Sequence, residues 1–385
     1  MDLVLSGAAL YTEQGVVPAG VLSVAKGKIT QIAATTSSAH PDTLHFPANY
    51  HVVPGFIDMH VHGVGGHDVM DADANALRMI CKTLAAEGTT AFLATTMTAD
   101  RADIERALVT VREVAAVQQE GAAILGVHLE GPFLAPGKMG AQRGDKRLAA
   151  DVGLMQHWQA LSNQLIKLVT LAPEETGCMA LIEYLVKENI IASLGHTNAT
   201  YAEAKAAIAA GCSHATHLFN AMRGLHQREP GAVTAALLSP AVMVELILDG
   251  LHLHPAVVDL TFRVKGKDQI VLVTDAMRAK CMADGCYDLG GQSVQVTQGQ
   301  AQLQDGTLAG STLKMASALR NMMTFTGCSL RDVIKMTAEN PARALGVFAN
   351  KGSIGVGKDA DLVVLDEALQ VVMTVCAGQV AYRKA

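Results

Sequence analysis

Short apolar runs of β type alternate with amphipathic stretches along most of this chain. At the N-terminal end the runs cover residues 3–5, 21–24 and 29–32, the last after the turn signal Lys26-Gly27-Lys28. Periods this short predict strands of a small sheet rather than helices. The C-terminal end reads alike, with runs at 360–365, 371–375 and 379–382, the last after Ala377-Gly378. Neither end could bury a core alone. The pattern therefore predicts one small β-sandwich domain made from both chain ends, residues 1–53 plus 354–385.

Between the ends the order of elements carries the information. Eight β-runs are read at 52–61, 89–96, 123–129, 166–172, 190–194, 213–218, 243–249 and 269–274. Helical stretches such as 74–87, 177–187 and 201–210 separate most of them, each closed by a Gly or Asn stop signal. Eight strands alternating with helices predict an α/β protein with a (β/α)8 TIM-like barrel over residues 54–353. An open doubly wound sheet is the alternative, but no GxGxxG follows the first strand. Residues 281–308 break the alternation, and their Gly-Gly and Asp-Gly turns predict a β-hairpin insertion before a final helix near 313–324.

Composition narrows the class. Half of the 385 residues are hydrophobic and 17% are charged, enough for a large core. Aromatics make up 4%, so that core must be built from aliphatic side chains and Met. The formal charge of −6 offers no basic stripe for a nucleic-acid backbone, and no apolar stretch is long enough to span a membrane. The N-terminal stretch lacks the basic start and apolar centre of a secretory signal. Seven scattered cysteines without a CxxC read as reduced thiols, which predicts a cytoplasmic protein without membrane or nucleic-acid partners.

Barrel enzymes build their sites where the strands end. The predicted strands end in Asp58-Met59-His60-Val61-His62, His128-Leu129-Glu130, Gly195-His196-Thr197, His217-Leu218-Phe219-Asn220 and Thr274-Asp275-Ala276. Residues i and i+2 of a strand share a face, so His60 and His62 can both point into the mouth. Imidazole and carboxylate are ligands for Zn²⁺ and similar ions, and a cation lowers the pKa of a water it holds. A hydrogen-bonded histidine pair is the plainer reading of HxH alone, and a helix cap that of Asp275. With ligand types at several strand ends, a metal site with Asp275 as general base and acid is the stronger reading. His128 reads as a core or supporting residue, His214 and His217 cannot both face inward, and His40, His45, His51 and His157 read as structural or exposed. Cys281 and Cys286 read as packing residues. After His217, Asn220-Ala221 and the basic loop through Arg228, together with Asp249 and His252 after the seventh strand, read as an anion site rather than an ordinary solvated loop.

Across nearly the whole chain these residues lie in blocks that resemble the amidohydrolase superfamily, and specifically the N-acetylglucosamine-6-phosphate deacetylase family. The blocks are PGFIDMHVHG, GVHLEGPF, KMGAQ, TLAPE, LGHTNATYAEA, ATHLFNAM, REPG, DGLH, VTDAM and TLAGSTL, closed by ENPARALGV and GSIGVGKDADLVVLD. The resemblance implies that Glu130, His196 and His217 hold the main metal. It also implies a second site from His60 and His62 bridged by Glu130, so one or two divalent ions per subunit: Zn, or Fe, Mn or Co. Asp275 would be the acid/base. Ala141, Gln142, Asn220, Ala221, Arg228, Asp249, His252 and the backbone of Leu308, Ala309 and Gly310 would hold a phosphorylated N-acetyl amino sugar, in a homodimer whose subunits complete each other's phosphate site. Where the family usually has an oxyanion-stabilising His, this chain has Gln142, which can still donate an N–H.

The implied reaction is metal-dependent hydrolysis of N-acetyl-D-glucosamine 6-phosphate to D-glucosamine 6-phosphate and acetate, with Asp275 as base and Gln142 at the oxyanion. The GLHQREPG and HDVMD stretches also resemble the N-acetylgalactosamine-6-phosphate deacetylases, which leaves the sugar open. Two rivals stand beside this reading, a cyclic amidase or nucleobase deaminase of the same superfamily and a metal-free scaffold.

Overall fold

Strand pairing runs in unbroken sequence order round the central sheet of the computed structural model, which describes residues 3–34 and 43–384. The eight strands are Phe56–Val61, Thr89–Thr96, Ala123–Glu130, Ile166–Leu171, Ile191–Leu194, His214–Ala215, Met243–Ile247 and Ile270–Val273. Every neighbouring pair is parallel. The seam between the eighth strand and the first closes through the Asp275 N–H to the His60 carbonyl at 2.8 Å, a Val61–Ala276 bridge and a Thr274 hydroxyl donated to Asp58. The fold is a (β/α)8 barrel with a small β-sandwich beside it.

A strand buried on both faces should be apolar throughout rather than alternating, and Thr89–Thr96 is buried at every position. The outer helices bury one stripe each. Helix Ala74–Ala85 starts where the Asp73 side chain accepts from the Asn75 and Ala76 N–H groups, and it presses Leu77, Ile80 and Leu84 onto the barrel core. No helix among the described residues is long and apolar enough to cross a membrane.

The run expected at 52–61 is two strands. His51–Pro54 pairs antiparallel with Leu362–Leu365 from the other chain end, whereas Phe56–Val61 enters the barrel. Gly55 is the hinge between them, since a Cβ there would lie 2.1 Å from the Thr90 hydroxyl. Around His51–Pro54 a six-stranded sheet takes strands from both chain ends, and it faces a four-stranded sheet of Lys28–Ala33, Val21–Ala25, Leu3–Ser6 and Thr43–His45. Leu5, Leu22 and Val24 of the smaller sheet share one apolar cluster with Leu10, Val52, Leu362 and Met373 of the larger. We place the junction of the two units at Gly55, one strand residue later than the sequence pattern suggests.

The insertion is larger than a hairpin. Gly285–Leu289, Gln292–Thr297 and Gln300–Gln302 make a three-stranded antiparallel sheet over the barrel mouth. The final helix is Met315–Thr326, and short helical turns from Leu330 to Ala344, absent from the sequence reading, follow it. Cys281 and Cys286 are exposed, with thiols on Glu87 and Ser293, so they are not packing residues. His45 bonds Ser6, His51 packs edge-on against Tyr11, and His157 lies exposed beside Glu105, whereas His40 lies outside the described residues.

His214, in the sixth strand, is buried with no partner for Nε2. Burial pushes its pKa from 6.5 down to about 4, the Glu245 charge offsetting only part of this. The unfolded chain takes up this proton first as pH falls, so stability present above pH 6.5 is lost down to about pH 4. The loss should reach about 3 kcal/mol. Urea midpoints at pH 7 and pH 5 should fall more for the wild type than for His214→Gln, and equal falls would contradict the neutral buried imidazole.

Candidate metal centre and active site

Six ligand-bearing side chains converge from five strand ends. His60 lies in the first strand and His62 just beyond it, Glu130 ends the third, and His196, His217 and Asp275 each stand two residues past the fifth, sixth and eighth strands. The last three adopt left-handed backbone, with φ of 47°, 31° and 47°. Non-glycine residues there carry about 1–3 kcal/mol of strain, which persists where the surroundings over-determine it and clusters at functional sites. The sixth strand was expected to run through residue 218 but stops at Ala215. That early stop resolves the His214/His217 conflict, because His217 follows turn geometry rather than strand alternation.

Glu130 is the hub of the cluster. Its Oε1 lies 3.1 Å from Nε2 of both His196 and His217, whose nitrogens are 3.0 Å apart. Its Oε2 lies 3.1 Å from His62 Nε2 and 3.4 Å from His60 Nε2. Asp275 Oδ1 closes the second group, 3.2 Å from His62 Nε2 and 3.4 Å from His60 Nε2. The two trios are thus Glu130 with His196 and His217, and Asp275 with His60 and His62.

The charge balance follows from burial. Desolvation alone would push both carboxylates up, but the His60 imidazolium and the surrounding ring nitrogens hold Glu130 well below its usual range and Asp275 below it too. Desolvation would push the His60 and His62 imidazoles down, and the same carboxylates reverse this, taking His62 up to about 9. His128 is driven down by burial and by the His60 charge, and it donates to or accepts from Thr170 at 2.7 Å inside the barrel.

These residues fit a divalent ion. A tetrahedral Zn²⁺ with bonds of ~2.0–2.1 Å separates its ligand atoms by roughly 3.3–3.4 Å, close to the spacings in both trios. His60 Nε2 is buried with no hydrogen-bond partner, as expected of a ligand atom. His196 Nδ1 stands 2.8 Å from the Lys138 carbonyl, which only accepts, so its proton sits there and Nε2 is free to ligate.

A cavity of about 330 Å³ opens onto the cluster. His62, Glu130, His196, His217 and Asp275 form its polar floor, and Ala141, Gln142, Asn220, Ala221, His252, Leu308 and Gly310 line its walls. Met97, Lys138, Leu289 and Thr307 also line it, and the sequence reading named none of them. Leu289 and Thr307 belong to or border the inserted sheet, whose position over the mouth has no local sequence signal. Asp249 stands behind His252, its Oδ2 2.7 Å from Nδ1. Ala309 is fully buried behind the wall. Arg228 is exposed and does not line the cavity.

Gln142 lies against the hub. Its Oε1 accepts the Thr98 N–H at 2.7 Å, which turns Nε2 onto Glu130 Oε2 at 2.8 Å, with Met97 Sδ at 3.6 Å on its other side. The Gln142 amide thus reaches the hub carboxylate from a position on the cavity wall. Thr98, the residue that sets this orientation, was invisible as a site residue in the sequence.

A barrel with a buried histidine–carboxylate cluster of metal-ligand type at its mouth and a cavity above it defines a hydrolase of metal-dependent type. The chain belongs to the amidohydrolase family, whose pattern matches residues 51–381. It is 45% identical to an N-acetylglucosamine-6-phosphate deacetylase of Bacillus subtilis, over 99% of this chain and 97% of that one. It is 38% identical to an N-acetylgalactosamine-6-phosphate deacetylase of Escherichia coli, over 99% and 100%. A solved N-acetyl-D-glucosamine-6-phosphate deacetylase from Mycobacterium smegmatis, a mutant in complex with N-acetyl-D-glucosamine-6-phosphate, superposes with a TM-score of 0.92 at 34% identity, covering 99% of both chains.

Gln142→Leu would leave the Thr98 N–H without its acceptor and take one donor from Glu130 Oε2, loosening the orientation of the hub. Metal affinity should fall by about 10–100-fold, as for other groups that orient ligands. Competition against a chelator measures it. Unchanged affinity with a large loss of kcat would return Gln142 to the oxyanion.

Proposed function

We propose that the protein hydrolyses the acetamide of N-acetyl-D-glucosamine 6-phosphate, giving D-glucosamine 6-phosphate and acetate. The observation that carries this reading is the Glu130 carboxylate shared between two buried histidine groups, with Asp275 beside it on the cavity floor. Glu130, His196 and His217 would hold one divalent ion, and His60, His62 and Asp275 a second that shares Glu130. A cation held there supplies a water of lowered pKa and polarises the amide carbonyl.

The chain's own groups do the rest. Asp275, kept ionised by its histidine neighbours, takes the proton of the attacking water and returns it to the amine nitrogen as the C–N bond breaks. His252, its Nδ1 held by Asp249, presents Nε2 to the phosphate, and Lys138 adds positive charge at the same wall. Asn220 is fixed by its Nδ2 on the His217 and Leu218 carbonyls and meets the sugar beside the metal centre. Met97 and Leu289 give apolar faces that exclude water round the acetyl group.

The exposed Arg228 supports a homodimer in which it reaches the partner's phosphate site, and Leu225 on the same loop, 61% exposed, supports that contact. Zinc suits the nitrogen and oxygen donors, and all seven cysteines are unpaired, which supports a reducing cytoplasm. The greater identity to glucosamine relatives favours that sugar, and kcat/KM for the two N-acetylhexosamine 6-phosphates should be higher for the gluco epimer. A higher value for the galacto epimer would select the sister activity.

Protein loaded with excess Zn²⁺ or Mn²⁺ should hold more than one ion per subunit, and a maximum of one at any loading would defeat the second site. Asp275→Asn should abolish turnover while Glu130, His196 and His217 keep their ion, because the only other carboxylate on the floor, Glu130, is engaged by that ion. Substantial activity in that variant would remove Asp275 as the proton carrier. His252→Ala removes a charge-assisted bond worth ~1.5–3 kcal/mol, so KM should rise by roughly 10–100-fold with little change in kcat. Equal turnover of phosphorylated and unphosphorylated substrate by the wild type would sink the phosphate assignment.

A further inference from the structure

Glu245 is the one charged residue of the seventh barrel strand, Met243–Ile247, and it is fully buried. The neighbouring Val244, Leu246 and Ile247 are ordinary core. A carboxylate in such a place is costly unless held, and the strand would pack more cheaply with an aliphatic residue. What holds Glu245 is the metal centre's own scaffold. Its Oε2 lies 3.2 Å from His60 Nδ1 and accepts the backbone N–H of His217 at 3.3 Å. Its carbonyl accepts the Leu218 N–H at 2.9 Å, one residue further along the same turn.

Two consequences follow. With Nδ1 against the Glu245 oxygen, the ring of His60 is oriented so that Nε2 is the atom turned to Glu130 and Asp275. The His128 ring packs edge-on against the His60 ring at 4.5 Å and blocks rotation from another side. At His217 the contact fixes a turn of left-handed backbone, φ 31°, that delivers a ligand of the other trio. Asp58, the other buried carboxylate nearby, takes the His60 backbone N–H and the Thr274 hydroxyl, so it secures the strand seam and not the ring. Outside the six residues of the cluster, Glu245 bonds a residue of each group.

We propose that Glu245 is a positioning residue that sets the ring of His60 and the turn of His217 from behind, and so couples the geometry of the two ion sites. This rests on reading the cluster as a metal centre. A ligand histidine whose second nitrogen is held by a carboxylate is also a stronger donor, so the ion at His60 and His62 depends on Glu245 most directly.

The test uses Zn²⁺-loaded protein with Glu245→Gln and Glu245→Leu. Gln keeps an acceptor oxygen of nearly the same shape without the charge, and Leu removes it. Chelator competition should show the ion at His60 and His62 held about 10–100-fold more weakly in the Leu variant, with a smaller loss in the same direction in the Gln variant. In proton NMR the downfield His60 Nδ1–H resonance, assigned by its absence in His60→Asn, should move upfield in Gln and vanish in Leu. A structural role alone would lower the melting temperature and leave that resonance in place in the Gln variant. If the Leu variant does not fold, the Gln variant decides by the same two readouts. Unchanged ion affinity and an unmoved resonance overturn the proposal. A wild type that never holds an ion at His60 and His62 defeats the two-ion reading instead, and the resonance then still decides the role of Glu245.

Discussion

The structure depends on placing several ionisable side chains in a mouth nearly free of water. Glu130 and Asp275 are almost completely buried, and so are the four imidazoles that face them. Isolated, any one of these groups in its charged form would cost several kcal/mol of desolvation. Together they offset one another, and Glu130 makes the arrangement coherent because each of its oxygens serves a different pair of histidines. The group has the donors, spacing and compensated charge that a divalent ion would complete.

Holding that cluster shapes the surrounding barrel. The strands that carry it stop early or turn through left-handed backbone at His196, His217 and Asp275. The side chains of the cluster are then held by partners outside it. His196 leans on the Lys138 carbonyl, His60 on Glu245, and Glu130 on the Gln142 amide. The barrel interior below is polar as well, where His128, Thr170, Thr216 and Ser193 form a chain of hydrogen bonds. Stability is provided elsewhere, by the apolar layer between strands and outer helices and by the separate core of the sandwich.

The cavity walls come from segments with little in common in the sequence. The loop of Lys138 to Gln142, the turn after the sixth strand, the His252 loop and the inserted sheet meet only above the mouth. That meeting is what gives a generic metal centre a particular substrate. The insertion contributes Leu289, and its third strand, Gln300–Gln302, leads towards Thr307 and Leu308. Arg228 remains outside the cavity, on an exposed loop.

Alternation of strands and helices was sufficient to determine the barrel, because a strand buried on both faces must be apolar and a helix must bury one stripe. The ligand set was equally readable, since residues at strand ends in a parallel barrel face one rim whatever the loops do. Tertiary structure decided what pairwise periodicity cannot carry. The 52–61 run divides at Gly55 because Thr90, distant in sequence, leaves no room for a side chain there. His214 and His217 part company because the sixth strand ends after two residues. The amide of Gln142 faces Glu130 because the Thr98 N–H takes its oxygen. Glu245 showed in the sequence only as a charge interrupting an apolar run, the one sign it gave. Its two partners lie 185 and 28 residues away, and only the closed barrel brings them to a single oxygen.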